Sequence, residues 1–168
     1  EDGRTCFHDG KRIKCLDAET GTQVWSTGPA DRASPIYSFF APTLVIQRGV
    51  VLFAGGRMTG RQFHRVGKVK PRTDRMVAFS LETGEKLWSA PHPPSGYRSP
   101  EDIFVLEDTV WTGASTVPGL GGRWTGRRLR TGEVKNSFTP DVDTYWFHHR
   151  CHRGKAVGKY LLLSRTGV

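Results

Sequence analysis

The residues best suited to chemistry lie late in the chain, in His148-His149-Arg150-Cys151-His152. In extended backbone alternate side chains share a face, which puts His149 and Cys151 on one side and His148 and His152 on the other. Two ligands at i and i+2 can chelate a soft metal, yet a closed zinc site takes four and neither face offers more than two. His149 and Cys151 are therefore the metal candidates, needing His8 or His64 from elsewhere in the fold; the preferred reading is exposed or packing histidines and no metal. Asp141-Val142-Asp143, after Pro140, could seat a cation but more simply closes an Asx turn. Gly113-Ala114-Ser115-Thr116-Val117 misses the nucleophile elbow by its last residue, and Gly119-Leu120-Gly121-Gly122 lacks phosphate-loop spacing. No catalytic or cofactor-binding residue is assigned.

Three cysteines, Cys6, Cys15 and Cys151, cannot all pair, and no Cys-x-x-Cys-His haem signature is present. If Asp9-Gly10 forms a two-residue hairpin turn, Cys6 falls opposite Ile13 and Cys15 opposite Arg4. That diagonal register argues against a disulfide.

The net charge is +9, and arginine dominates the 25 basic residues. Positive charge gathers between Arg57 and Arg75, between Arg123 and Lys135, and between Arg150 and Lys159. Arginine's planar fork suits acidic partners, so an anionic ligand at an arginine-rich face is one expectation. No aromatic ladder of the RNP type accompanies these residues, so nucleic acid is not the expected partner and solvated surface is preferred.

The elements that must position these groups are strands. No apolar run approaches the roughly 20 residues of a membrane span. Glu1-Asp2-Gly3-Arg4 carries no basic stretch leading into an apolar one, so any export signal lies outside these residues. Gly and Pro interrupt every candidate helix. Against this background three segments align: Cys15 to Trp25, Ala78 to Trp88 and, more faintly, Gly126 to Asn136, with Thr20-Gly21, Thr83-Gly84 and Thr131-Gly132 in register. Each reads as a strand, a tight glycine turn and a return strand. The β-rich pairs Thr43 to Gln47 with Val50 to Ala54, and Ile103 to Leu106 with Thr109 to Gly113, supply inner strands ahead of the second and third hairpins; Lys159 to Ser164 starts another unit. Pro91-His92-Pro93-Pro94 reads as a stiff connector.

A period of roughly 40 to 50 residues with glycine turns is that of a four-stranded propeller blade. The expected fold is therefore all-β, a β-propeller of four-stranded antiparallel blades. One partial domain spans 1–168, with blades near 1–30, 31–92, 93–140 and 141–168. The first blade is expected to be present by its outer half only, giving about three to three and a half blades. Such an open segment would leave apolar blade faces to be covered by the remaining blades of the same protein or by an obligate assembly.

The string Leu16-Asp17-Ala18-x-Thr20-Gly21 followed by Trp25 resembles the repeat of PQQ-like β-propellers, the quinoprotein alcohol dehydrogenase-like superfamily. The resemblance implies blade-docking roles for Asp17, Thr20, Gly21, Trp25, Ala78, Thr83, Gly84 and Trp88. Ser80 stands where the second repeat should have aspartate, and the third has Gly126, Arg128 and Asn136 at the alanine, aspartate and tryptophan positions, which puts that blade's docking in question. The family's dehydrogenases hold PQQ and a Ca²⁺ bound by Glu, Asn and Asp, with a stacking Trp and often a disulfide between adjacent cysteines. Here the only asparagine is Asn136, no cysteines are adjacent, and Trp111, Trp124 and Trp146 serve blade packing as readily as stacking. The resemblance therefore implies a non-catalytic binding or scaffolding segment of a larger bacterial protein, with no cofactor in this segment and a periplasmic or cell-envelope setting. A segment of a PQQ-dependent oxidoreductase acting on alcohols or sugars is the alternative, and a polyanion binder the third.

Overall fold

The structure, a computed structural model, describes residues 1–30, 43–55, 74–92, 102–113, 123–139 and 155–162. The described residues contain strands and turns and no helix. β1 (Arg4–His8), β2 (Ile13–Asp17) and β3 (Gln23–Ser26) form one antiparallel sheet. A second sheet runs β4 (Thr43–Gln47), β5 (Val50–Ala54), β6 (Asp74–Ser80) and β7 (Lys86–His92) in chain order. The third repeats that order with β8 (Phe104–Leu106), β9 (Thr109–Gly113), β10 (Trp124–Arg128) and β11 (Val134–Phe138). β12 (Lys155–Val157) and β13 (Tyr160–Leu162) pair as a final hairpin, and β12 lies against β8. This is a partial β-propeller of four-stranded antiparallel blades. The first blade departs from the expected outer half: β1 adds a third strand, occupying the place that β5 and β9 take in the next two sheets.

Burial arises from the stacking of sheets. β5 is buried at all five positions because it lies in the middle of a sheet covered on both faces. Its Val51 and Phe53 join Ile13, Cys15 and Trp25 in a core against the first sheet, while Val50, Leu52 and Ala54 join Ile103, Val110 and Leu129 in a core against the third. Alternation of side chains across a strand sends each set to its own neighbour. β11, by contrast, is exposed along its whole length.

Two local expectations are corrected. The β1–β2 turn is not Asp9-Gly10. Asp9 pairs with Arg12 through its N–H (3.0 Å to the Arg12 carbonyl), and its Oδ1 accepts the N–H groups of Lys11 and Arg12 at 2.9 and 2.8 Å. Gly10 and Lys11 become the two loop residues, with Gly10 at φ 100° in the first position, where glycine is favoured in a type II′ turn. The loop moves by one residue, so the pairing shifts by two and sets Cys6 directly opposite Cys15. Secondly, Pro91-His92 is no connector; both residues continue β7, opposite Arg75 and Asp74. A proline without an N–H is tolerated there because β7 is the outer edge of its sheet.

Candidate functional site

The recurring feature is the turn that joins the last two strands of each sheet. In all three copies the residue at the turn's start binds across it: Asp17 N–H to Thr22 O (2.8 Å), Ser80 N–H to Glu85 O (2.9 Å) and Arg128 N–H to Glu133 O (2.8 Å). The glycine N–H closes back on the same residues' carbonyls, Gly21 to Asp17, Gly84 to Ser80 and Gly132 to Arg128, each at 2.9 Å. Those glycines sit at φ 71°, 74° and 73°, which explains the residue type. The threonine before each glycine accepts the N–H two residues on: Thr22, Glu85 and Glu133 at 3.2, 3.2 and 3.4 Å. A bulge precedes each turn at the same place, after Cys15, Ala78 and Gly126.

What the turns receive comes from the sheet before. Trp25, at the end of β3, lays its ring on Gly84 of the second sheet and donates its Nε1–H to the Leu81 carbonyl at 2.7 Å. Trp88, in β7, repeats the contact one sheet further on, with its ring on Gly132 and its Nε1–H on the Leu129 carbonyl at 2.8 Å. Both rings are buried. The receiving residues are also tied through their own N–H groups, Leu81 N–H donating to Gly49 O and Leu129 N–H to Asp108 O. A Cβ on Gly84 would stand 2.7 Å from the Trp25 ring, and one on Gly132 2.6 Å from the Trp88 ring. Glycine is thus needed twice over, for backbone conformation and for the ring's approach. Gly21, with the same conformation, has nothing within 4 Å of that point. Ala78 lies opposite Trp88 and fully buried, as Cys15 lies opposite Trp25.

The aspartate position varies and the turn survives. Asp17 Oδ1 accepts from Thr20 N (2.9 Å), Thr20 Oγ1 (3.0 Å) and Glu19 N (3.1 Å), while Oδ2 takes Arg4 at 2.9 Å. These bonds, led by the Thr20 N–H, lower its pKa below the usual carboxylate value. Ser80 Oγ replaces one of them, accepting Thr83 N–H at 3.2 Å. Arg128 can accept none, and its Nε instead donates to Glu133 at 3.2 Å. The third repeat's turn, in question from sequence, is formed and receives Trp88. Asn136, opposite Gly126 where a tryptophan would stand, is exposed.

A second repeat was not read from sequence. Arg75 Nη2 donates to Ser89 Oγ at 2.7 Å and Arg123 Nη2 to Ser137 Oγ at 2.8 Å, at equivalent positions of two sheets. Arg12 and Ser26 stand at those positions in the first sheet, where Arg12 donates to the Thr27 carbonyl at 3.4 Å. The recurring spacing of Arg, turn and Ser was the available signal. The central arginine-rich stretch is similarly spent within the fold: Arg127 donates to Gly132 O, Arg130 to Arg48 O, and Lys135 to Asp108, whose pKa is lowered chiefly by that ammonium. The stretch from Arg57 to Arg72 lies outside the described residues.

His148, His149, Cys151, His152 and the Asp141-Val142-Asp143 pair lie outside the described residues, as do His64 and Trp146. His8 packs instead of reaching for a metal: its ring stacks on Phe53 at 5.0 Å with 4° between planes, and Nε2 meets the Ala30 carbonyl at 3.1 Å. Among the described residues no three of His, Cys, Asp and Glu converge as a metal site. Trp111 packs edge-on against Phe138 over Gly126, and Trp124 is buried on Gly113 beside Phe104. Both rings are thus committed to blade packing, and Asn136 lies on the exposed outer strand.

The family described as outer membrane protein assembly factor BamB, whose model is of PQQ-repeat type, matches residues 1–139. The chain belongs to this family of PQQ-like repeat propellers. Solved structures share the fold at low identity. A europium-containing methanol dehydrogenase aligns at TM-score 0.52 and 15% identity over 83% of this chain. The quinohemoprotein alcohol dehydrogenase of Comamonas testosteroni aligns at 0.52 and 16% over 84%, and ADHIIG of Pseudomonas putida HK5 at 0.51 and 15% over 84%. The chain spans only 23%, 27% and 26% of their respective lengths. No curated protein matches by sequence. No helix of the described residues is long and apolar enough to cross a membrane.

Proposed function

We propose that the chain is a non-catalytic PQQ-like repeat propeller segment, a binding or scaffolding module of a larger bacterial protein of the periplasm or cell envelope. The observation that supports it most is the tryptophan relay: the repeat motif's most distinctive side chains, Trp25 and Trp88, are consumed in joining one sheet to the next. On this reading Asp17, Thr20, Gly21, Ala78, Thr83 and Gly84 shape the turns and their packing, and Trp25 and Trp88 are the docking side chains. The partners are the remaining blades or an obligate assembly of proteins, in keeping with a family named for outer-membrane protein assembly. Exposed Val134, Phe138, Val157, Tyr160 and Leu162 give the last described strands apolar surface for such contacts.

The test is to purify the native protein, add PQQ and Ca²⁺, and follow quinone absorbance through desalting together with dye-linked oxidation of alcohols and sugars. Loss of all colour from a folded protein, with no oxidation, is the expected result. Retained, reducible colour with turnover would overturn the proposal in favour of a quinoprotein oxidoreductase.

A further inference from the structure

The first sheet holds a feature the blade contacts do not use. In an antiparallel pair, directly opposed residues alternate between hydrogen-bonded and non-hydrogen-bonded sites. Asp9 and Arg12 are hydrogen-bonded next to the loop, so His8 with Ile13 is a non-hydrogen-bonded pair, Phe7 with Lys14 a bonded one, and Cys6 with Cys15 non-hydrogen-bonded again. The other side of β2 agrees, because Ile13 O accepts from Thr27 N–H of the third strand's extension and so faces away from β1. At non-hydrogen-bonded sites the opposed Cα atoms stand about 4.5 Å apart and the side chains share one face. That spacing falls inside the Cα separations of roughly 4.4 to 6.8 Å that a disulfide spans. Both side chains turn toward the core between the first and second sheets, where Cys15 is fully buried and Cys6 half-buried against the cluster.

We infer that Cys6 and Cys15 are a modification site, closing as a cross-strand disulfide by exchange with a small-molecule disulfide. The more exposed Cys6 reacts first. Its thiolate attacks one sulfur of the oxidant, expelling one thiolate and leaving a mixed disulfide; the Cys15 thiolate then attacks the Cys6 sulfur and expels the second. Two electrons pass from the cysteine pair to the oxidant, which leaves as two thiols carrying the two cysteine protons. Burial, then the neighbouring Cys15, pushes the Cys6 thiol up to about 12, so little thiolate exists at neutral pH and exchange in the folded protein is slow. Closure is correspondingly faster while the chain folds. The product ties the edge strand β1 covalently to β2.

The chain carrying Cys151→Ser, so that only these two thiols remain, is reduced and then held with oxidised glutathione at about pH 9. We expect the mass to fall by about 2 Da, both thiols to be lost to maleimide, and a peptide linking positions 6 and 15. Well below the raised pKa of the Cys6 thiol the rate should climb with pH, in step with the thiolate. Adding Cys15→Ser should arrest the reaction as a glutathione adduct on Cys6, and adding Cys6→Ser should leave the buried Cys15 unreacted. The same buffer is applied during refolding from urea, where burial does not limit access. Two free thiols after both treatments, or a stable glutathione adduct on Cys6 beside a free Cys15, would overturn the inference.

Discussion

Gly84→Ala is the sharpest probe of the sheet-to-sheet contact. The added methyl meets two separate penalties. At φ 74° an alanine adopts the left-handed region at about 1–2 kcal/mol. Its Cβ also stands 2.7, 2.8 and 2.9 Å from three atoms of the Trp25 ring, and that ring is pinned by its 2.7 Å bond to Leu81, so overpacking adds about 1–3 kcal/mol. The expected loss is about 2–5 kcal/mol. Gly21→Ala supplies the control, since its φ is 71° and nothing lies within 4 Å of the new Cβ; only the backbone penalty of about 1–2 kcal/mol applies. Trp25→Ala alone should cost about 3–5 kcal/mol, as for other buried tryptophans. In its presence Gly84→Ala should fall back to the Gly21→Ala value, giving a coupling of about 1–3 kcal/mol. Urea unfolding monitored by far-UV circular dichroism measures all four variants. Equal losses for Gly84→Ala and Gly21→Ala, or simple additivity with Trp25→Ala, would refute the claim that the glycine is there for the ring.

Trp88→Phe keeps most of the ring but leaves the Leu129 carbonyl without its donor, for an expected loss of about 1–3 kcal/mol in the same unfolding assay. Gly113→Ala places a methyl into the Trp124 ring without any left-handed backbone, so about 1–3 kcal/mol is expected from overpacking alone, and Trp124→Leu should relieve part of it. Asp17 has a folded pKa below its ordinary 3.8, so its contribution is present above that value and is lost as pH falls through the lower folded value. Asp17→Asn should therefore flatten the fall of the urea midpoint as the pH drops below the ordinary 3.8, and an unchanged acid slope would count against the turn bonds as its cause.

Much of the architecture was legible because turn chemistry is local. The Thr-Gly pairs mark their turns by a glycine requirement and a threonine cap, both satisfied within five residues. The inner strands from Thr43 and Val50 were bounded correctly because Arg48-Gly49 divides two β-branched runs. The register of β1 on β2 was not legible in the same way. Asp-Gly signals a turn, but the Asp9 carboxylate captures the Lys11 and Arg12 amides, moves the loop onto Gly10-Lys11 and exchanges a diagonal cysteine pair for a facing one. The acceptors of the tryptophans were also beyond local reading. Leu81 is 56 residues from Trp25, and a backbone carbonyl leaves no mark on residue type.

The direction of the relay explains why the third repeat could lose so much of the motif and still form. In each repeat the glycine turn and the tryptophan after it look like one unit, yet they serve different contacts. The turn at Gly84 receives Trp25 from the sheet before, and Trp88, a few residues later, goes on to the turn at Gly132. The third repeat therefore needs Thr131 and Gly132 to receive Trp88, and it keeps both. Its aspartate is dispensable because the turn's own backbone bonds, Arg128 N–H to Glu133 and Gly132 N–H to Arg128, hold without it. Its missing tryptophan bears only on an outgoing contact to a further sheet, and there the strand carrying Asn136 is exposed throughout while β12 meets the third sheet at its opposite edge, against β8. Of the three departures, Arg128 and Gly126 lie in and beside the receiving turn, which keeps its backbone bonds without the residues they replace, and only Asn136 falls on the outgoing half of the motif.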